Sequence, residues 1–254
     1  MAFTDNQHII YEYPLQERVR TYLRLEHGFE QLNVNRELFQ QQPDAFFQSL
    51  FSLSDLLERV DIRTELSKDL DAQQQRLKQW EQHPQVDRQA LRTTIEEIGD
   101  CQQFLPDIPK VLREIKDDAL LASIRQRFSQ PGISGLFELP QLQLWLSQEN
   151  ELQQKQCDAW CQLFQPIEKA VQLKLTLMRE QSSFSDMTLT SGFMQGSSEQ
   201  PLAMLRIKVP KESSVYPVIS GHRQRFTVRF MPLPGVSNTQ SIQSVQLEIA
   251  RCAQ

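Results

Sequence analysis

The chain has 254 residues, 39% of them hydrophobic, and carries 27 basic against 32 acidic side chains for a net charge of −5. That length accommodates one large domain or two modest ones with a real core, and the regular recurrence of Leu, Ile, Val and Phe excludes a disordered chain. No window approaches the ~18 consecutive apolar residues of a membrane span, the opening MAFTDNQHIIYEYPL has no secretory signal pattern, and four scattered cysteines fit a reducing, cytoplasmic setting.

From Leu15 to about Gln181 the apolar residues recur at steps of three and four, the spacing of one helical face after another. Leu15, Val19, Tyr22, Leu25, Phe29 and Leu32 form the first run, with Pro14 at the first turn. Phe47, Leu50, Leu53, Leu57 and Val60 follow Pro43-Asp44, and Leu66, Leu70, Leu77 and Trp80 follow Asp61, each behind an acceptable helix start. A further helix carries Leu91, Ile95 and Ile98, and DDALLASIRQRF carries Leu120, Ile124 and Phe128 before SQPGISG breaks the chain. FELPQLQLWLSQ fits both periods, the spacing of Leu139, Leu142 and Trp145 favouring a helix. A long run from about Glu149 to Gln181 passes through Pro166, read as a kink or a restart.

After Ser182 the period becomes two. Met187, Leu189 and Phe193 alternate, as do Leu205, Ile207 and Val209, then Phe226, Val228 and Phe230, then Val245, Leu247 and Ile249. The expected fold is α+β, with a helical domain over residues 1–181 followed by a small antiparallel sheet domain over 182–254.

The stretch SVYPVISGHRQRFTVRFMPLP places Arg223, Arg225 and Arg229, with His222, inside a core-like strand. Alternation resolves the conflict: Phe226, Val228 and Phe230 take one face and the arginines the other. By the same parity Arg206 and Lys208 point away from Leu205, Ile207 and Val209, and pairing of the two strands would gather five cations on one face. Residues 202–232 hold six cations and one anion, a net of +5, so the remainder of the chain sums to −10. Such a face is either solvated and paired with acids of the helical domain, or a surface for an acidic partner; like charges clustered on a sheet favour the second.

The residue pattern calls for no enzyme, cofactor or metal. His8, His27, His83 and His222 lie far apart, and none belongs to a metal or nucleophile motif. Cys157 and Cys161 are four apart on one helix, but no CxxC or nearby His completes a site, so they read as small apolar residues. Gly132-Ile133-Ser134-Gly135 is no nucleophile elbow and follows no strand. A nucleic-acid-binding module is the competing binding function, with Arg223, Arg225, Arg229, Arg206 and Lys208 tracking phosphates. It is disfavoured because Phe226 and Phe230 have core parity, away from the arginines, and because the chain is acidic overall.

Four stretches, YEYPLQERVRTYLRLE at Tyr11 to Glu26, IRTELSKDLDAQQQRLKQW at Ile62 to Trp80, IRQRFSQPG at Ile124 to Gly132, and YPVISGHRQRFTVRFMPL at Tyr216 to Leu233, resemble the ZapD family of cell-division proteins. The last is long and chemically mixed, and the four span the chain almost end to end. The resemblance implies a cytoplasmic, non-enzymatic homodimer, not inserted in the membrane, that binds the C-terminal tail of the tubulin-like protein FtsZ and cross-links its filaments at midcell. It implies a basic tail-binding groove contributed by His222, Arg225 and Arg229 of the β part, Arg20 and Arg24 of the first helix, and Arg125 and Arg127, to which the cationic strand face adds Arg223 and Arg206 as candidates. The chain departs from the family around Lys116 to Leu121 and Gln141 to Leu144, where Asp117, Asp118, Ala119 and Gln143 stand in a region usually richer in cations.

Overall fold

A computed structural model of the chain describes residues 7–80, 86–128, 136–189, 191–234 and 245–253. It is α+β, and it divides into two compact units, Arg24–Lys174 on the one hand and Met1–Leu23 with Leu175–Gln254 on the other. The SQPGISG break, His83 and the Gly132 to Gly135 segment lie outside the described residues.

The first of these units is helical. Its elements are α1 (Glu17–Glu37, from Arg24 on), α2 (Pro43–Arg59), α3 (Ile62–Trp80), α4 (Arg88–Phe104), α5 (Ile108–Asp117), α6 (Ala119–Phe128), α7 (Pro140–Leu146) and α8 (Asn150–Glu180, as far as Lys174). Helix starts follow from local chemistry. Asp87 accepts hydrogen bonds from the backbone N–H of Gln89 and Ala90 at 2.9 and 3.1 Å, and Asp61 accepts from Thr64 at 3.2 Å, each satisfying donors that the first helical turn leaves orphaned. One oxygen of Asp118 caps α6 at the Leu121 N–H while the other accepts from Trp160 Nε1 at 3.0 Å, so this acidic residue works as both cap and tie. The core is built on aromatic edges: Phe39, Phe46, Phe47, Trp145 and Trp160 lie with ring centroids 5.5 to 6.4 Å apart, within the favourable range for offset and edge-to-face pairs. The segment that fitted both periods is helix α7, burying Leu142 and Trp145. Helix α8 runs unbroken through Pro166 rather than restarting there.

The other unit is a two-layer β-sandwich. β1 (His8–Pro14), β4 (Leu202–Pro210), β7 (Val245–Ala253) and β2 (Ser185–Leu189) form one antiparallel sheet in the order β1-β4-β7-β2; β3 (Phe193–Ser197), β6 (Arg225–Pro232) and β5 (Val215–His222) form a second in the order β3-β6-β5. Leu205, Ile207, Val209, Leu247 and Ile249 of the first sheet pack on Val215, Phe226, Val228 and Phe230 of the second. Strand β1 was missed by the helical reading of the N-terminal segment, although Tyr11 and Tyr13 alternate and pack against this core. The other face of the four-stranded sheet is covered too: Ala203, Met204 and Cys252 meet Val19 and Leu23 of α1 and Met178 of α8. The outer face of the three-stranded sheet remains exposed, which makes it the surface available for binding in this unit.

Candidate functional site

Register fixes what that outer face presents. Residues paired across an antiparallel sheet point the same way, so Arg229 of β6 lies between Phe193 of β3 and Val218 of β5, Arg225 between Ser197 and His222, and Thr227 between Gln195 and Ser220, with Met231 beside Tyr216. Phe193 and Val218 are 43% and 49% exposed, far above what core residues of a sandwich show. The Arg229 guanidinium sits 6.0 Å from the Phe193 ring centroid, within cation–π range. Arg223 occupies the two-residue turn between β5 and β6, so the hairpin end adds a third cation next to His222. Among the described residues no carboxylate lies within ion-pairing distance of Arg223, Arg225 or Arg229. The face therefore offers exposed apolar side chains and guanidinium forks whose charge no carboxylate among the described residues neutralises.

Beneath it, Phe226 is buried between two cross-strand glycines, Gly196 and Gly221. A Cβ on Gly196 would fall 2.2 Å from the Phe226 ring, and one on Gly221 would fall 2.7 Å from Phe226 Cβ. Only glycine fits at either position while Phe226 holds its place. A hollow of about 530 Å³ at this end of the sheet is lined by Gln195, Gly196, Ser197, Ser220, Gly221, Arg225, Phe226 and Thr227.

Parity on β6 is as expected, with Phe226, Val228 and Phe230 buried and Arg225 and Arg229 exposed. The five-cation face is not formed, because β4 and β6 belong to different sheets. Arg206 does not point to solvent: it is buried, bonded through Nε to Glu12 at 2.9 Å, and lies 5.1 Å from the Phe184 ring centroid. The reason is that its sheet face is covered by helices, which alternation within one strand cannot reveal. Lys208 pairs with Glu248 at 3.1 Å. Phe193 departs from the expected core set: Gly192, with φ of 63°, turns the chain, and Met194 is buried in its stead. Phe226 and Phe230 have the expected core parity, but Phe193 and Tyr216 put two further aromatic side chains on the arginine face.

The remaining candidates lie elsewhere. Arg20 is half-buried, paired with Glu17 at 3.1 Å and over the Tyr13 ring at 5.7 Å; Arg24 is exposed one turn on along α1. Arg125 is tied to Asp55 and Glu58 of α2, and those two carboxylates raise its pKa against the opposing effect of burial. Arg127 is exposed near the end of α6. The four cysteines are buried thiols, and burial pushes Cys161 up to about 12 and Cys157 further still. Among the described residues no group of His, Cys, Asp and Glu is arranged to hold a metal ion, and no helix is long and apolar enough to cross a membrane.

The ZapD family model, described as a cell division protein, matches residues 23–229. The chain belongs to the ZapD family. A cell division protein ZapD of Idiomarina loihiensis is 64% identical over 253 residues, covering 100% of both chains. Those of Pectobacterium carotovorum subsp. carotovorum and a Shewanella species are 36% and 35% identical, over 89% and 96% of this chain and 90% and 99% of theirs. The ZapD match takes in β3, β5 and β6 as far as Arg229, so the exposed face falls almost wholly inside it. Phe193, Val218, Tyr216 and Met231 are the residues of that face that sequence reasoning missed. The even-numbered alternation of Tyr216, Val218 and Ser220, out of phase with Val215 and Ile219, was the available signal.

Proposed function

We propose that this ZapD-family protein is a non-enzymatic division factor that binds the C-terminal tail of FtsZ on the outer face of the β3-β6-β5 sheet and, as a homodimer, cross-links FtsZ filaments at midcell. The observation that carries the reading is the outer face itself: guanidinium groups of Arg225 and Arg229, without carboxylate partners among the described residues, interleaved with exposed Phe193 and Val218. A short disordered tail rich in acidic and apolar residues matches both halves of that surface, its carboxylates taking two hydrogen bonds from each planar fork and its apolar side chains covering the exposed ones. Arg223 and His222 at the hairpin end extend the same face, and Arg24 and Arg127 are further exposed cations of the protein. Arg206 and Arg125 act inside the fold and are not part of this reading.

Ordering a tail consumes much of the gross interaction energy, so one site alone binds weakly, on the order of micromolar. Two sites on a symmetric dimer, and many tails along a filament, convert weak contacts into cross-linking. Titration of the purified protein with a synthetic FtsZ tail peptide tests the reading, together with light scattering for the dimer: saturable binding that Arg225→Glu abolishes supports it, and absence of binding removes it.

Phe193 beside Arg229 favours one second reading, a single-stranded nucleic acid stacked on the aromatic with phosphates on the arginines. Only three arginines serve this face and the chain is acidic overall, which leaves little electrostatic driving force. The same titration with an oligonucleotide separates the two.

A further inference from the structure

The hydrogen-bond phase of the three-stranded sheet determines which of its edges is open. The Phe230 N–H donates to the Gly192 carbonyl at 2.8 Å and the Ser198 N–H to Gln224 at 2.9 Å, so the even-numbered residues of β3 bond to β6. The backbone groups of Phe193, Gln195 and Ser197 therefore face away from β6, along the outer edge of the sheet. Among the described residues nothing pairs with their N–H groups, and the Phe193 carbonyl takes only a 3.4 Å contact from the Ser191 hydroxyl. On the opposite edge the same phase turns Pro217 outward, because its partner Phe230 bonds toward β3. A proline there withholds a donor and blocks strand addition. One edge is closed by chemistry; the other presents donors unpaired among the described residues next to the arginine face.

We propose that the tail binds as an added strand on β3, extending the sheet to the order tail-β3-β6-β5. This rests on the reading above that an acidic, apolar tail is the ligand, and it names how that ligand is held. Main-chain bonds to Phe193, Gln195 and Ser197 supply affinity, and the side chains opposite those residues point to the outer face and supply specificity. A side chain opposite Phe193 meets an aromatic ring and is apolar. One opposite Ser197 looks across a small hydroxymethyl group to Arg225, two strand spacings or about 9.5 Å away, a span that a carboxylate side chain and an extended guanidinium close together. Positions opposite Phe193 and Ser197 are four apart in the peptide, so the recognised pattern is an apolar residue and an acidic residue separated by three others.

Amide hydrogen exchange of the full-length protein with and without the synthetic tail peptide reads this directly. The expected result is new protection at Phe193, Gln195 and Ser197 with none added at Met194 and Gly196, whose amides already bond to β6. Gln195→Pro, which deletes one outward N–H and no β3–β6 bond, weakens the peptide at least about tenfold, as expected for loss of a main-chain bond with strain at the edge. Moving the acidic residue of the peptide by one position does the same. If the peptide binds and Arg225→Glu abolishes binding, but the three odd-numbered amides stay unprotected, strand addition is wrong while the tail-binding reading stands; Gln195→Pro binding like wild type says the same. If the wild-type protein does not bind the peptide at all, both fall.

Discussion

Glu12 holds two arginines. Its Oε1 accepts from Arg179 Nε and Arg206 Nε, both at 2.9 Å, and its Oε2 accepts from Arg179 Nη2 at 2.7 Å. The three side chains are 16%, 10% and 8% exposed, so solvent screens the cluster poorly. Removing Glu12 takes from two nearly buried guanidinium groups the carboxylate that they share, and breaking a buried pair in this way costs about 3–5 kcal/mol. Removing Arg206 leaves Glu12 held by Nε and Nη2 of Arg179; the losses include one charge-assisted bond to Glu12, the 3.4 Å contact of Arg206 Nη1 with the Arg179 carbonyl and the packing on Phe184, with the charge-assisted bond worth about 1.5–3 kcal/mol. Glu12→Ala is therefore expected to destabilise more than Arg206→Ala, with the apparent melting temperature falling by roughly 6–20 °C for the former on the usual ~2–4 °C per kcal/mol at this chain length. Differential scanning fluorimetry at matched concentration measures the order, and tail titration of folded Arg206→Ala measures function. Equal destabilisation by the two variants would refute the shared-carboxylate account. Loss of tail binding by an Arg206→Ala protein that melts like wild type would return Arg206 to the exposed surface.

Arg225→Glu and Arg229→Glu are expected to abolish tail binding with melting unchanged, while Phe226→Ala costs about 3–5 kcal/mol because its two glycine neighbours have no side chains to fill the void; binding and melting measured on all three check the parity. Burial raises the Glu168 carboxyl, against the hydrogen bonds from Asn33 and Gln172 and the nearby Arg36 charge. Its contribution is present below the ordinary carboxylate range and lost as pH rises through the folded-state value, so Glu168→Gln gains stability relative to wild type as pH rises above the ordinary carboxylate range in parallel melts. With burial raising all four thiols, the native protein is expected to release no colour from an aromatic disulfide reagent at neutral pH, and the denatured protein to react at all four cysteines.

Helices were legible where they carry their own start and their own buried stripe: Pro43 and Asp61 mark two beginnings, and Leu66, Leu70 and Leu77 or Phe47, Leu50 and Leu57 mark the faces, whereas the ten-residue α5, with only Ile108, Val111 and Ile115 buried, was not read. Strand parity on β6 was legible for the same local reason. What a single strand cannot say is which sheet it joins and what covers the sheet's other face. Arg206 and Arg225 look alike in alternation, yet one lies under α8 against Glu12 and the other faces solvent, a distinction made by residues about 190 positions away in sequence. β1 escaped because its pattern adjoins a helix and its inward set is tyrosine, half-buried rather than core. Phe193 was misassigned because one glycine at positive φ shifts the phase, and the period on either side carries no trace of the shift.

That correction bears on the proposed tail-binding face. Of the six cations between residues 202 and 232, Arg206 and Lys208 pair with Glu12 and Glu248, Lys211 lies in the turn between β4 and β5, and Arg223, Arg225 and Arg229 belong to the β5–β6 hairpin of the exposed sheet. A strongly basic groove binds through charge and releases its ligand in salt. Three arginines spaced among Phe193, Val218, Tyr216 and Met231 form a different surface; under the proposed tail binding, charge would orient an acidic residue while apolar contact and strand pairing carried much of the remaining energy. Binding to such a face weakens with ionic strength but persists beyond the point where the Debye length, ~8 Å at physiological salt, has screened the long-range attraction. A tail held this way keeps its register along the sheet edge even when its charge is partly screened, and register rather than net charge then decides which acidic tails the face accepts.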